Sequence, residues 1–209
     1  MGLGMGTGRA IIGVLGLLAA CGAARAEERL VLGTYPGAPW HDVINRSSER
    51  GFVRQQMPEG QTPEAFHDVM TSQAIRGYRG GPTEFISLAF SKLAESCATS
   101  ETVGPTVAEE QGLQVAYGRF YCGQQKGQTF GAHMFFKVIK GNDALYVVDR
   151  DFRIPPTGNP STPSLPENEV VPFLQSEGAA RKYLTDKVYV CDPAFPNPKC
   201  ASEAVATGK

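Results

Sequence analysis

The clearest structural pattern in this chain is residues 129–154, TFGAHMFFKVIKGNDALYVVDRDFRI. Its first half alternates in the manner of a strand, and one strand face carries Phe130, Ala132, Met134, Phe136 and Val138. The turn Gly141-Asn142-Asp143 follows, and glycine and asparagine tolerate the positive φ angles that tight hairpin turns require. Residues 144–154 then return as a second strand. The stretch therefore predicts a β-hairpin.

Neighbouring segments extend this hairpin into a larger fold. Residues 113–122 alternate in the same way and predict a third strand of an antiparallel meander. Short strands are predicted at 30–33 and 52–57. Helices are predicted at 82–97, where apolar side chains recur at i, i+3 and i+4, and at about 171–185. The order predicts an α+β fold, in which an antiparallel β-sheet (the meander) is packed by helices.

Three connecting segments give weaker patterns. Thr62-Pro63-Glu64 is typical of a helix start, with a hydroxyl N-cap and proline at the first helical position. Residues 69–75 also fit a strand, and the sequence leaves both alternatives open. The Thr-, Gly- and Glu-rich residues between the first predicted helix and Leu113 are interpreted as a linker. Five prolines predict a surface loop over 155–166.

The first 26 residues have the pattern of a signal peptide. Arg9 precedes an apolar run over 10–20 that is too short to span a bilayer as a helix. The run is followed by Ala24-Arg25-Ala26, a small-x-small cleavage site. Cleavage there leaves a single globular domain over 27–200 and a small polar tail over 201–209 that we expect to be disordered.

A lipoprotein signal over 1–20 is the alternative. Leu18-Ala19-Ala20-Cys21 resembles the bacterial lipobox, in which the cysteine is acylated and becomes the new N-terminus. Lipid at Cys21 would hold the protein at the outer membrane, whereas cleavage after Ala26 would leave it in the periplasm. No later run of the sequence is long and apolar enough for a membrane-spanning helix, so the expected membrane contact is through that lipid.

Charge and cysteine count narrow the classes of function. Removing Arg9 and Arg25 with the leader leaves 18 basic side chains against 21 acidic ones, a net charge of −3 without a basic patch for nucleic acid. Four cysteines remain, Cys97, Cys122, Cys191 and Cys200, and an even count in an exported chain predicts disulfides. Three pairings are open; we favour Cys97 with Cys122 and Cys191 with Cys200, the nearest neighbours in sequence.

Two stretches resemble a known group of proteins. They are 51–73, which contains Gly51-Phe52-Val53 and Met57-Pro58-Glu59-Gly60-Gln61-Thr62, and 112–148, which contains the strand pair around Gly141. Together they resemble a group of uncharacterised exported proteins of proteobacteria, in an arrangement that looks like the PsbP/Mog1-type α/β/α sandwich. The resemblance implies that 69–75 is a strand. It also implies an accessory or binding role rather than catalysis.

Catalytic and metal chemistry have no specific motif here. The hydrolase alternative would use His67 or His133 as its base. A zinc or acid–base site could use His41, His67 and His133, provided that folding gathers them from distant segments. His133 alternates with Met134 and Phe136 and is expected to face away from that apolar row. No Cys-x-x-Cys or Gly-x-Ser-x-Gly occurs, and we expect no metal or cofactor.

One charged cluster is a candidate for recognition. Asp149, Arg150, Asp151 and Arg153 alternate at the end of the last predicted strand. Such a cluster is usually a solvated strand edge that discourages aggregation, and a recognition patch is the functional alternative. The sequence thus predicts an exported envelope protein, a non-catalytic binding or accessory factor for an unknown partner protein or small ligand. A periplasmic hydrolase and a structural lipoprotein are the alternatives.

Overall fold

A computed structural model describes residues 28–35, 37, 39–193 and 198–200 of the 209-residue chain. The predicted signal peptide, the cleavage site after Ala26, the lipidation candidate Cys21 and the tail 201–209 lie outside the described residues. No helix in the described part of the chain is both long and apolar enough to span a bilayer.

The described residues form nine strands and two long helices, of 14 and 21 residues, and residues 198–200 are also helical. In chain order they are β1 Arg29–Leu32, β2 Trp40–Ser48, β3 Gly51–Pro58, β4 Asp68–Arg76, α1 Pro82–Glu95, β5 Cys97–Glu110, β6 Leu113–Gln125, β7 Gly131–Lys140, β8 Ala144–Ile154, α2 Glu167–Lys187 and β9 Val188–Cys191.

Seven strands build one antiparallel sheet in the order β2-β3-β4-β8-β7-β6-β5, and β1 pairs with β9 in a separate ribbon. The predicted meander is its β6-β7-β8 portion. A second meander, β2-β3-β4, joins it through the β4–β8 ladder, in which Asp68 pairs with Phe152 and Arg76 with Ala144. The strand β8 therefore has a neighbour on each side. The α+β class, with an antiparallel sheet packed by helices, is confirmed.

The two helices cover opposite faces of the sheet, because strands β6–β8 present apolar side chains to both sides. Helix α1 packs Ile86 and Phe90 against one face, together with Phe136 and Val138 of β7. Helix α2 packs Ala180 and its neighbours against the other face, together with Phe135 and Ile139 of the same strand. The side chains of β7 thus enter two separate cores in alternation.

Close approach fixes where α1 crosses the sheet. A Cβ atom added at Gly118 of β6 would lie 2.7 Å from the ring of Phe90 and 2.9 Å from Ile86. Only glycine therefore permits this helix to sit so near the strand. Pro82 in the first turn and Glu84 beside the helix N-terminus favour the start of α1 where the sequence predicts it.

Sequence patterns missed three strands: β9, which pairs with β1, and the two edge strands of the seven-stranded sheet. Strand β2 was not predicted, and β5 occupies the segment interpreted as a linker. Both are largely solvent-exposed and have a single neighbour, β3 or β6. They therefore lack the apolar alternation that marks a strand with a buried face. Three register irregularities also interrupt β5.

The helix start at Thr62-Pro63-Glu64 is wrong, because the chain forms only a turn there, with the Ala65 N–H donating to the Thr62 carbonyl at 3.0 Å. The strand alternative for 69–75 is right, since these residues lie within β4. Two strand neighbours, β3 and β8, satisfy the backbone of this segment, which outweighs its local helix-start signal.

Both favoured disulfides are present. Cys97 bonds to Cys122 between the start of β5 and β6, with a Cα–Cα distance of 5.7 Å. Cys191 bonds to Cys200 at 5.8 Å and closes the segment that follows β9. Each bridge joins cysteines that are neighbours in sequence, so each closes a short loop. By lowering the entropy of the unfolded chain, each bridge stabilises the folded state by about 2.5–3.5 kcal/mol.

Candidate functional site

The charged cluster at the end of β8 is divided between the two faces of the sheet. Asp149, Asp151 and Arg153 point to the α1 side, in the same alternation as Leu145 and Val147 of that core. Arg150 points to the α2 side, like Phe152. The interpretation as a solvated strand edge is wrong, because β4 and β7 flank β8. Whether any of the four serves recognition stays a prediction.

Arg150 is completely buried and pairs with Asp68 of β4. Its Nε and Nη2 donate to the two carboxylate oxygens of Asp68 at 3.1 and 2.5 Å, a bidentate pair. Its guanidinium lies 3.9 Å from the ring centre of Tyr35 and 4.6 Å from that of Trp40. Burial raises the pKa of Asp68, and the Arg150 charge opposes that rise. The Arg150 side chain thus holds the rings of Tyr35 and Trp40 against this face of the sheet.

Asp149 and Asp151 lie on the other face of the sheet, and the pKa of each carboxyl is raised. Burial, and then the neighbouring Asp151 charge, raise the pKa of Asp149 to about 8, although a hydrogen bond from Thr71 opposes the rise. Burial raises the pKa of Asp151 to about 7, with Arg153 opposing. Two carboxyls at i and i+2 of one strand cannot both ionise there without cost. At least one of them therefore carries a proton near neutral pH.

Replacing Asp149 with asparagine should flatten the pH dependence of stability. A carboxyl whose pKa is raised on folding stabilises the native state fully below its unfolded pKa near 4, and this contribution is lost as pH rises through about 8. We therefore expect Asp149→Asn to be more stable than wild type at pH 8, by on the order of 2 kcal/mol, and close to it at pH 4. Urea unfolding at both pH values measures this difference, and Glu59→Gln, at an exposed turn, is the control. Equal effects at pH 4 and 8 would contradict the assignment.

His133 forms a buried clamp beneath the proline-rich loop. The side chain is 1% exposed, faces away from Met134 and Phe136 as predicted, and lies between the rings of Tyr121 and Phe173. Its Nε2 donates to the Pro160 carbonyl at 2.8 Å, since a carbonyl can only accept. Its Nδ1 forms a second hydrogen bond, of 2.5 Å, with the carboxyl group of Glu177 in α2. One imidazole thus ties the loop 155–166 to both the sheet and the helix.

The clamped loop forms one wall of a cleft of about 430 Å³. Phe152 and Phe173, 6.1 Å apart in an edge-to-face arrangement, supply its aromatic surface. His67, Glu169 and Ser176 contribute polar groups to the lining of the cleft. A volume of this size lies in the range of small-molecule sites, which are mostly apolar with a few polar groups. The cleft can therefore hold a small ligand.

The three histidines do not converge in this cleft. His67 lines it, His133 lies behind its wall with both ring nitrogens engaged, and His41 is on the distant edge strand β2. Within the described residues, no hydrogen bond or ion pair joins the ring of His67 to a carboxylate. The same part of the chain contains no group of three His, Cys, Asp or Glu side chains that could hold a metal ion.

The sequence pattern did not predict that several polar residues are buried and paired. Lys137 is fully buried, where it donates to Glu110 at 2.7 Å and to the Val188 carbonyl at 2.8 Å, and burial lowers its pKa. Glu177, the partner of His133, occurs in a polar stretch of α2 and resembles a solvated residue. Alternation along β7 predicts which strand face Lys137 and His133 occupy. Their acidic partners, however, lie far away in sequence: Glu110 is 27 positions from Lys137, and Glu177 is 44 positions from His133.

No family model matches this chain, and no curated protein matches it. Among solved structures, it is similar to the crystal structure of LpqN involved in cell envelope biogenesis of Mycobacterium tuberculosis, with 11% sequence identity and a TM-score of 0.38 over 81% of this chain and 87% of that chain. A likeness at this level assigns neither a family nor a function to the chain.

Proposed function

We propose that this chain is an exported envelope protein that binds a ligand without transforming it, as a binding or accessory factor. Two disulfides support export, because disulfides persist in oxidising compartments such as the periplasm and are rare in the cytosol. The signal-peptide pattern of residues 1–26 supports the same compartment, either through cleavage after Ala26 or through lipidation of Cys21.

The cleft beneath the proline-rich loop carries the proposal of binding. A twelve-residue loop with five prolines would be a poor wall if it moved freely, but the His133 clamp fixes it against β7 and α2. Thr157 adds a backbone hydrogen bond to Gly123 of β6 at 2.8 Å. A wall that is fixed before binding lowers the entropy cost of binding. The aromatic pair beneath it favours a ligand with a flat or apolar body.

A histidine-dependent hydrolase has weaker support. His67 lines the cleft and is exposed, but a general base needs a partner that orients it. Two carboxylates in this part of the fold, Asp68 and Glu177, are engaged by Arg150 and His133, and no hydrogen bond joins the third, Glu169, to His67 in the described residues. A purely structural lipoprotein would also be exported but would bind no ligand in the cleft. A binding measurement therefore distinguishes that alternative from our proposal.

Filling the cleft should abolish ligand binding while the fold persists. Ser176 is exposed and lines the cleft, whereas its neighbour Gln175 is exposed and does not line it. We expect aromatic fragments of about 10 to 18 non-hydrogen atoms to give saturation-transfer NMR signals with wild type and Gln175→Trp, at Kd values on the order of 1 mM. Ser176→Trp should lose these signals. Equal signals for all three proteins, or none for wild type, would refute the cleft as the site.

A further inference from the structure

A groove of about 200 Å³ lies between the C-terminal half of α2 and the β5–β6 edge of the sheet. Its walls are mostly apolar, with Tyr117 of β6, Phe135 of β7 and Leu184 of α2 among them. Two charged side chains also line the groove, and both are arginines, Arg119 of β6 and Arg181 of α2. No acidic side chain of the described residues lines it. The groove thus combines an apolar interior with two cations.

The charges of the two arginines act at one place. Arg119 is half-buried, and its Nη1 donates to the Tyr121 hydroxyl at 3.3 Å. Burial raises the pKa of that hydroxyl, and the charges of Arg119 and Arg181 both oppose the rise. Because both charges act on one hydroxyl group, both guanidinium groups lie in its vicinity. Positive charge is therefore concentrated at one end of the apolar groove.

No carboxylate neutralises these two cations. In the part of the chain that the structure describes, neither guanidinium forms an ion pair or a hydrogen bond with an acidic side chain. Acidic side chains beside the lining are engaged by other partners: Glu177 by His133, Glu110 by Lys137 and Asp186 by Lys182. A half-buried guanidinium loses part of its hydration, and a bound anion would replace that lost interaction.

A bulge in the edge strand β5 lies on the open side of the groove. The pairing of β5 with β6 is interrupted between Val103 and Thr106, and Gly104 within the interruption has a φ of 93°. The two residues that flank the interruption, Val103 and Thr106, both line the groove. Bulges bend an edge strand, change the direction of its side chains and are frequent beside active sites. The irregular part of β5 is therefore the part that shapes the groove.

The volume sets the size of the ligand. An engineered apolar protein cavity of about 150 Å³ binds benzene. A groove of about 200 Å³ accordingly holds a ring of that size with a short substituent. A carboxylate is short enough, whereas a phosphate ester is larger. The size therefore favours a carboxylate among the anions that guanidinium groups bind.

The charge of the lining selects among ligands of this size. An ammonium group would be repelled by both arginines, and a neutral group would leave both charges unpaired. We propose that this groove binds a small organic acid in its ionised form, with the carboxylate at Arg119 and Arg181 and the apolar body against Phe135 and Leu184. The site is distinct from the cleft of the proposed function and takes a different class of ligand.

The test is a titration of the ¹⁵N-labelled protein at neutral pH, followed by backbone NMR. The probes are benzoate, neutral benzamide, cationic benzylamine and acetate, which has no ring. We expect benzoate to shift the amides of lining residues such as Val103 and Tyr117, with a Kd on the order of 1 mM. Each of the other three should bind at least about fivefold more weakly, because it lacks either the negative charge or the apolar body.

Arg181→Gln removes one of the two cations. The side chain is exposed, so the fold should persist, and benzoate should bind about threefold to fivefold more weakly, as expected for the loss of an exposed ion pair. Arg79→Gln is the matched control, since it removes an exposed arginine outside the groove, and it should leave the benzoate affinity unchanged.

Three results would overturn the inference. The first is the absence of benzoate-induced shifts at the groove in wild type, and the second is an affinity for any other probe that equals or exceeds that for benzoate. The third is an equal benzoate affinity of wild type and Arg181→Gln. Within the described residues, none lines both this groove and the proposed cleft, so Ser176→Trp should leave benzoate binding unchanged and either site can fail without the other.

Discussion

Replacing Arg150 with methionine should lower the free energy of unfolding by about 3–5 kcal/mol, the range for breaking a buried ion pair. The substitution leaves Asp68 buried beside the sheet without its bidentate partner. It also removes the cation that Tyr35 and Trp40 cover. Urea unfolding at neutral pH, with both disulfides intact, measures the loss. Without Arg150 the pKa of Asp68 should rise further, so the loss should shrink as the pH is lowered and Asp68 becomes neutral.

Arg54 supplies a matched control on the same face of the sheet. It pairs with Asp42 through its Nε at 2.9 Å, but the two side chains are 42% and 31% exposed. Exposed pairs contribute about 0–1 kcal/mol, and Arg54→Met should change stability by no more than that. Adding Asp68→Asn to Arg150→Met should recover part of the loss, because the unpaired charge is then absent. A loss below about 1 kcal/mol for Arg150→Met would contradict the role of this pair.

Replacing His133 with alanine should be of similar severity, about 3–5 kcal/mol. The substitution removes a buried ring from between Tyr121 and Phe173, and it leaves both the Glu177 carboxyl and the Pro160 carbonyl without their partner. We also expect it to free the loop 155–166. The Thr157 amide, hydrogen-bonded to Gly123, should then exchange with solvent faster. Urea unfolding and NMR-detected hydrogen exchange measure the two effects.

His67→Ala is the control for the clamp. His67 lines the same cleft but is exposed, and its replacement should change stability by less than about 0.5 kcal/mol. If His133→Ala destabilised the protein while exchange at Thr157 stayed as in wild type, His133 would be an ordinary core residue and the loop would be held by other contacts. The cleft would then lose the fixed wall on which our proposal of binding rests.

The strands at the centre of the sheet were predictable because each pairs with a strand on both sides and packs against an apolar core on both faces. Strands β6, β7 and β8 alternate clearly, and α1 shows its apolar spacing together with a proline start. The edge strand β5 was not predictable, since most of its residues face water and its pairing is determined by β6 rather than by its own pattern. Local sequence therefore identified the centre of the sheet and missed its borders.

The candidate sites were only partly predictable. Alternation along β8 places Arg150 on the opposite face from Asp149 and Asp151, but it does not show what covers each face. The cover comes from Tyr35 and Trp40 more than 100 positions earlier, and from the turn that contains Pro63 and Glu64. The histidine clamp likewise depends on Glu177, 44 positions later. Sites assembled from such long-range contacts appear only once the chain is folded.

Mass spectrometry of the protein purified from its own cells shows whether it is exported and whether it holds a ligand in the cleft. Under denaturing conditions we predict a chain that begins at Glu27 or at acylated Cys21, and whose mass rises by about four hydrogens on reduction of two disulfides. Under native conditions, wild type and Gln175→Trp should carry an additional noncovalent mass that Ser176→Trp lacks. A chain that begins at Met1 would rule out export, and native masses equal to the polypeptide alone for all three proteins would rule out a ligand in the cleft.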